Sequence, residues 1–306
     1  SEMCIRDRHK NTMNDFLFQV ADTAFHLHVG DVADARPMLP SYAPFFVKER
    51  TRPLIFDMTV GDGLVSFEPE GEELGQFDCG GNNHGIYRLP GGGYVISISS
   101  GTNRPACALE ASADFTSCRA TLFGEDHERV FGLNNALMIA FAFAGARHGI
   151  VLMHASVTMQ GGRAYLFLGK SGTGKSTHSS LWRKFIPGSD LLNDDNPAVR
   201  VGADGAITAY GTPWSGKTPC YRNLSLPVGA YVRLEQSPVN VIARDAKLQA
   251  FASILSSCST MIWDKPSYDA IITNVTAITQ KVPVFYLKCR PDEEAARLSY
   301  NTITQH

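Results

Sequence analysis

The stretch YLFLGKSGTGKSTHSS, residues 165–180, constrains this chain more than any other. An apolar run, Tyr165 to Leu168, leads into a glycine-rich turn and then a segment compatible with a helix, so a strand must feed a helix here. Gly169 to Ser176 spell G-x-x-x-x-G-K-S, the spacing of a phosphate-binding loop. Its glycines let the backbone bend tightly enough to point successive N–H groups at phosphate oxygens. A helix beginning near Gly174 adds the positive end of its dipole. At this spacing Lys175 reaches the β- and γ-phosphates and the Ser176 hydroxyl coordinates Mg2+. The candidate nucleotide-binding set is Gly169, Lys170, Ser171, Gly172, Thr173, Gly174, Lys175, Ser176 and Thr177, with ATP or another nucleoside triphosphate and Mg2+ as the expected cofactors. The loop fixes a phosphate site and leaves open what happens to the phosphate.

Neighbouring residues bear on that question. DLLNDD (190–195) reads as a strand ending in two carboxylates, Asp194 and Asp195, where a P-loop enzyme needs a second Mg2+ ligand. One Asp suffices for a metal, and two allow one to hold it while the other accepts a proton. Successive strand residues point to opposite faces, so the two acids share one role only if the strand ends between them. NDDNP also has the composition of a solvated turn, which is the alternative. His154 stands fifteen positions before Gly169 in GIVLMHASVTM, read as one strand that turns at QGG (160–162) into the loop strand. A lone His there is either a satisfied core residue or, if the two strands are neighbours, part of the site. Downstream, YGTPWSGKTPCYRN (210–223) is a loop punctuated by Pro and Gly. It offers Lys217 and Arg222 as phosphate clamps and Trp214 as a stacking surface for substrate, or else it is an ordinary turn with exposed cations.

A chain of 306 residues with 44% hydrophobic and 19% charged residues makes one large domain or two ordinary ones with a substantial core. A net charge of −2 gives no basic field for nucleic acid or an anionic membrane. Seven scattered cysteines without a C-x-x-C pair fit reduced thiols of a cytoplasmic protein better than disulfides or zinc. The polar N-terminus has no secretory signal, and SEMCIRDR has the look of a translated adapter, so residues 1–13 are expected to be artefact or disordered. Residues 14–125 read as a β-rich domain, with strands at DFLFQV, FHLHV, LIFDMTV, LVSFEP, GIYRLP and YVISISS. Residues 126–306 read as the α/β domain carrying the loop. Helices are expected at 128–146, 174–185, 246–262, 267–280 and from Asp292. The apolar part of the first, Leu133 to Ala146, is too short for a bilayer and reads as buried.

Taken together, MHAS, YLFLGKSGTGKST and LLNDD resemble the catalytic core of the HPr kinase/phosphorylase family over about residues 145–235. The loop is also similar to that of the structurally related phosphoenolpyruvate carboxykinases. The resemblance implies an α/β fold with a mixed P-loop kinase core of HPr kinase/PEP carboxykinase type behind an all-β N-terminal part. It implies that His154 lies near the transferred phosphoryl group, that Asp194 is the base activating an acceptor hydroxyl, and that Asp195 is the partner acid near Mg2+. The implied catalytic set is Asp194, His154 and Lys175, and the implied metal set is Ser176 and Asp195. The chain departs from the family beyond the acids, where GTPWSGK is similar to HPr-kinase-like proteins of unassigned substrate, and in its first 120 residues. The implied activity is ATP-dependent phosphoryl transfer to a hydroxyl, whether a serine of a protein or peptide or a small molecule. The expected partners are that acceptor, the nucleotide and further copies of the chain, with no nucleic acid or membrane. Other readings are a non-catalytic nucleotide sensor whose β domain engages a partner, a phosphate-releasing phosphorylase or ATPase, and a carboxykinase.

Overall fold

The protein is described by a computed structural model covering residues 14–30, 32–78, 83–101 and 103–305. Residues 1–13 and Cys79 lie outside the described residues. Alternation builds the first sheet. In β1 (Asp15–Val20) and β2 (Thr23–Val29) the apolar residues Phe16, Phe18, Phe25 and Leu27 turn inward, and Asp15, His26 and His28 turn outward. The two strands join at Ala21 and Asp22, whose φ values of 50° and 58° suit a two-residue hairpin turn. β3 (Leu54–Val60), β4 (Glu72–Asp78), β5 (Asn83–Arg88), β6 (Tyr94–Ser100), β7 (Arg104–Ala111) and β8 (Ser117–Leu122) complete the order β1-β2-β3-β8-β7-β6-β5-β4. LVSFEP is not a strand. Val65 instead plugs the second face of the sheet beside Val95 and Ala108, and its N–H donates to Thr121 Oγ1 at 2.9 Å rather than to a ladder.

The inner face is closed by α1 (Asp126–Ala146), which starts two residues before the expected 128. Glu125 and Glu128 form a reciprocal capping box, an arrangement more familiar with Ser or Thr at the cap. Gly132 faces β7 so closely that a Cβ would lie 2.5 Å from Ala106 O. α1 is apolar on most sides because both of its sides are covered, by Phe25 of β2 and Phe115 of the β7–β8 turn on one side and by Ile150, Leu152 and Trp214 on the other. It is long and apolar enough to cross a membrane by composition, and 67% of its most apolar window is buried within this protein. Each fully buried Phe or Leu here contributes about 1.5–3 kcal/mol.

The second sheet runs β12-β10-β11-β15-β14-β13-β9, with β17 beside β15 and β16 beside β17. In chain order its strands are β9 (Ile150–Leu152), β10 (Ala155–Gln160), β11 (Arg163–Leu168), β12 (Asp190–Asp195), β13 (Ala198–Val201), β14 (Ile207–Tyr210), β15 (Ser225–Gln236), β16 (Val241–Arg244) and β17 (Val284–Cys289). GIVLMHASVTM is therefore two strands. β9 pairs with β13, β10 pairs with β11 and β12, and Met153 at the break bridges to Cys258. α2 (Lys175–Phe185) and α5 (Glu293–Ile303) cover one face, where Trp182 and Phe285 pack. α3 (Lys247–Leu255) and α4 (Lys265–Lys281) cover the other. α3 is shorter than the expected 246–262, because Ser257 and Ser259 leave the helix to hydrogen-bond the break at 152–154. β11, β15 and β17 are parallel, so their C-terminal ends gather on one side, where ligands of α/β sheets bind.

The two sheets are joined at a second place. Asp264 caps α4 by accepting from Ser267 N at 2.9 Å, and it also accepts from the Tyr94 hydroxyl of β6 at 3.0 Å. Beside it Trp263 lies against Gly75 of β4, and its carbonyl accepts from Arg88. Among the described cysteines all five thiols are free, and burial pushes Cys118 up to about 12.

On the outer face of the first sheet, His26 Nδ1 lies 2.7 Å from Asp57 Oδ2 and Nε2 lies 2.6 Å from Asp15 Oδ1. His28 Nδ1 is 3.8 Å from the same Asp15 oxygen. Burial lowers the His26 pKa, but the Asp57 and Asp15 carboxylates outweigh it and the net shift is upward. A raised folded pKa means that the clasp stabilises fully below about pH 6.5 and that its contribution falls as pH rises through the folded value. Replacing His26 with Gln should lower the urea midpoint at about pH 6, and the gap from wild type should narrow by about pH 9. An equal gap at both pH values would show that imidazolium pairing is not what His26 contributes.

Candidate functional site

The glycine-rich loop leaves β11 after Leu168 and enters α2 at Lys175. Gly169 and Gly174 adopt φ of 147° and 100°, and a Cβ on Gly169 would lie 2.4 Å from Thr173 Oγ1. Thr173 closes the loop by donating its N–H and its hydroxyl to Lys170 O, at 3.2 and 2.8 Å. Gln236, the last residue of β15, holds the tip by donating Nε2 to Gly172 O at 3.0 Å. Beneath the helix, Trp182 Nε1 and His178 Nε2 each lie 2.9 Å from Ser299 Oγ of α5. Burial pushes the His178 pKa down to about 4, so the ring is neutral. Lys170, Ser171, Gly172 and Thr177 lie on the loop and first turn as the motif requires, with Lys170, Ser171 and Thr177 exposed.

Lys175 is 8% exposed. Its Nζ donates to Gly169 O at 2.9 Å and Lys170 O at 3.2 Å, and it lies 2.9 Å from His154 Nε2. An ammonium group has three protons and no lone pair, so Nε2 accepts the third. The His154 proton then sits on Nδ1, which faces Asp195 Oδ1 at 2.9 Å. Burial pushes the Lys175 pKa below the ordinary lysine value, and the pull of Asp195 and Asp194 offsets only part of this. His154 reaches Lys175 because it occupies the break between β9 and β10, where its N–H donates to Ser257 O at 2.7 Å.

β12 lies beside β10, with Asp194 opposite Ser156 and Asp195 opposite Ala155. Asp194 is buried. Its Oδ1 accepts from Ser176 Oγ at 2.9 Å, and its buried Oδ2 has no hydrogen-bond partner. Asp195 has a φ of 132°, a conformation L-residues rarely adopt, and its Oδ2 accepts from Asn196 Nδ2 at 2.9 Å. The strand ends at this kink, so alternation no longer sends the two acids apart. The pairing differs from the expected metal set of Ser176 with Asp195: Ser176 touches Asp194, and Asp195 touches His154. An unpaired buried carboxylate oxygen beside a hydroxyl is a hard-oxygen donor set that fits Mg2+. Among the described residues no cluster of three or more His, Cys, Asp or Glu holds a metal by itself, so phosphate oxygens would have to complete the shell.

Residues 210–223 divide. Trp214 is not a stacking surface. It is buried, its Nε1 donates to Tyr42 Oη at 2.9 Å, and its ring packs 5.1 Å from Phe141. Arg222 is not at the acids. It pairs with Asp190 at 2.6 Å at the opposite end of β12, about 16 Å away at the usual strand rise. Lys217 is exposed and follows Gly216, whose N–H donates to Asp194 O at 2.5 Å, so its backbone adjoins the acid corner. Sequence reasoning passed over Asn193, Thr212 and Gln236. An Asn inside the apolar strand LLNDD was the one available signal, and for Gln236, far along the chain, there was none.

No protein-family model matches the chain. No curated protein matches it either. Among solved structures it is similar to the Hpr(Ser) kinase/phosphatase from Coxiella burnetii, at 13% identity and a TM-score of 0.32, over 51% of this chain and 89% of that one. That likeness is distant and carries no argument about the site.

The Trp214–Tyr42 bond ties the acid-corner segment to the first sheet's core. Tyr42→Phe leaves a buried indole N–H without its acceptor and should destabilise by about 1–3 kcal/mol in urea denaturation. A midpoint equal to wild type would mean that another acceptor replaces the hydroxyl.

Proposed function

We propose that the chain is a nucleotide-dependent phosphotransferase that passes the terminal phosphoryl group of ATP to a hydroxyl. The observation that carries this reading is the convergence of Lys175, Ser176, His154, Asp194 and Asp195 on one glycine-rich loop. Transfer of this kind is mostly positioning and charge neutralisation, and these side chains supply both. The loop N–H groups and the start of α2 receive phosphate oxygens, and Lys175 turns from the Gly169 and Lys170 carbonyls toward them. Ser176 and Asp194 would hold Mg2+, which when bound offsets charge on the phosphate oxygens. With Asp194 committed to Ser176, the acceptor's proton goes to Asp195, oriented by His154. Lys217, next in the chain to Gly216 at the acid corner, would meet the acceptor or the phosphate being moved. The P-loop kinase core of HPr kinase type is the fold this reading requires, and the acceptor is a serine hydroxyl of a protein or peptide or the hydroxyl of a small molecule.

Lys175→Ala should abolish ATP binding measured with a fluorescent analogue, and normal turnover by that variant would remove the phosphate-site assignment. Asp195→Asn should keep Mg2+–ATP binding while losing about 10²–10⁴-fold in transfer. If Asp194→Asn alone shows that pattern, the two acids have the opposite roles. Lys217→Ala should raise KM for the acceptor more than for ATP, and unchanged kinetics would leave Lys217 as surface charge. Tight ATP binding by wild type with no transfer to any hydroxyl would replace the kinase reading with a sensor.

A further inference from the structure

The acid corner is held from behind by groups that never face the loop. Asn193 is fully buried in β12, between Leu192 and the acid pair. Its Nδ2 donates to Thr212 Oγ1 at 3.2 Å and to Trp214 O at 3.0 Å, and its Oδ1 accepts from Asn196 N at 3.0 Å. Thr212, also fully buried, donates its hydroxyl to Asn196 O at 2.6 Å. One amide and one hydroxyl thus grip the chain on both sides of Asp194 and Asp195. The segment they grip against also reaches the acids, because Ser215 Oγ and Gly216 N both donate to Asp194 O.

The backbone explains what such a grip is for. A positive φ at a non-glycine residue costs about 1–3 kcal/mol and persists only where its surroundings over-determine it. Asp195, at 132°, is such a residue, and the bonds to Asn196 on its far side are the ones Asn193 and Thr212 make. With an ordinary extended φ, strand alternation would turn the Asp195 carboxylate away from the face Asp194 serves. We propose that Asn193 and Thr212 are positioning residues that enforce the Asp195 kink, so that one acid serves Ser176 and the metal while the other serves His154. This inference rests on the phosphotransferase reading and deepens it. The Asn193 amide is neutral, so it holds the corner without adding a third charge beside two carboxylates.

The test uses Asn193→Ala, Thr212→Val and Thr212→Ser in the full chain. One readout is the downfield Nδ1 proton of His154 by NMR in the metal-free protein, which reports the bond to Asp195. The other is the MgCl2 concentration that half-saturates binding of a fluorescent ATP analogue. Asn193→Ala and Thr212→Val should lose the downfield proton and raise the Mg2+ half-saturation about 10–100-fold, with metal-free nucleotide binding within about twofold of wild type. Thr212→Ser, which keeps the hydroxyl, should resemble wild type in both. If Asn193→Ala does not fold, Thr212→Val against Thr212→Ser carries the comparison. Wild-type values in Asn193→Ala and Thr212→Val, or a loss in Thr212→Ser equal to that in Thr212→Val, would overturn the proposal while leaving the phosphate site standing. A wild-type protein that binds no nucleotide overturns the function reading, and the inference falls with it.

Discussion

A buried ammonium group must place three protons and can accept none. Lys175 places two on the loop's own carbonyls and one on His154, and most of the site follows from that requirement. The third bond fixes the imidazole tautomer, the tautomer fixes a donor toward Asp195, and the kinked backbone at Asp195 frees Asp194 for Ser176. Five side chains from three separate segments are thereby committed to each other. Lys175 and Asp194 are buried while His154 and Asp195 are partly exposed, so the network runs from the interior to the surface of the site.

The elements behind the network tie it to the first sheet. α1 lies between the two sheets, and its Phe141 touches Phe25 on one side and Trp214 on the other. Trp214 in turn contacts Tyr42 through its indole and Asn193 through its carbonyl. The second tie, from Tyr94 to Asp264, ends at the cap of α4, and the segment leading to that cap contains Ser257, which receives the His154 N–H. Both routes from the β-rich part therefore arrive at residues that carry the site.

Legibility followed locality. The loop, its strand and its helix were readable because the motif and its context lie within sixteen residues. β1, β2, β3 and β6 announced themselves by β-branched and aromatic residues set between turn formers, whereas β4 (EELGQFD) did not, being a charged edge strand of the sort that discourages pairing with other chains. The break at Met153–His154 was invisible because its cause is residues 257–259, about a hundred positions away. Trp214 was misjudged for the same reason: a Trp in a Pro/Gly-rich loop reads as exposed until Tyr42 and Phe141 are known to surround it. The acids were found as a pair, but which one meets Ser176 depends on a single φ angle that composition does not encode.

The chain's three tryptophans stand at three different joints. Trp182 underlies the helix that begins at the glycine-rich loop, Trp214 sits one residue before the acid corner's clasp, and Trp263 lies against the β4 strand. The molecule thus carries its own optical probes. The emission colour of each indole reports on water reaching a separate joint, and Tyr42 beside Trp214 forms a short-range energy-transfer pair across the seam. Single-tryptophan forms would let movement of the loop helix, opening of the acid corner and parting of the sheets be timed separately, without attaching any label.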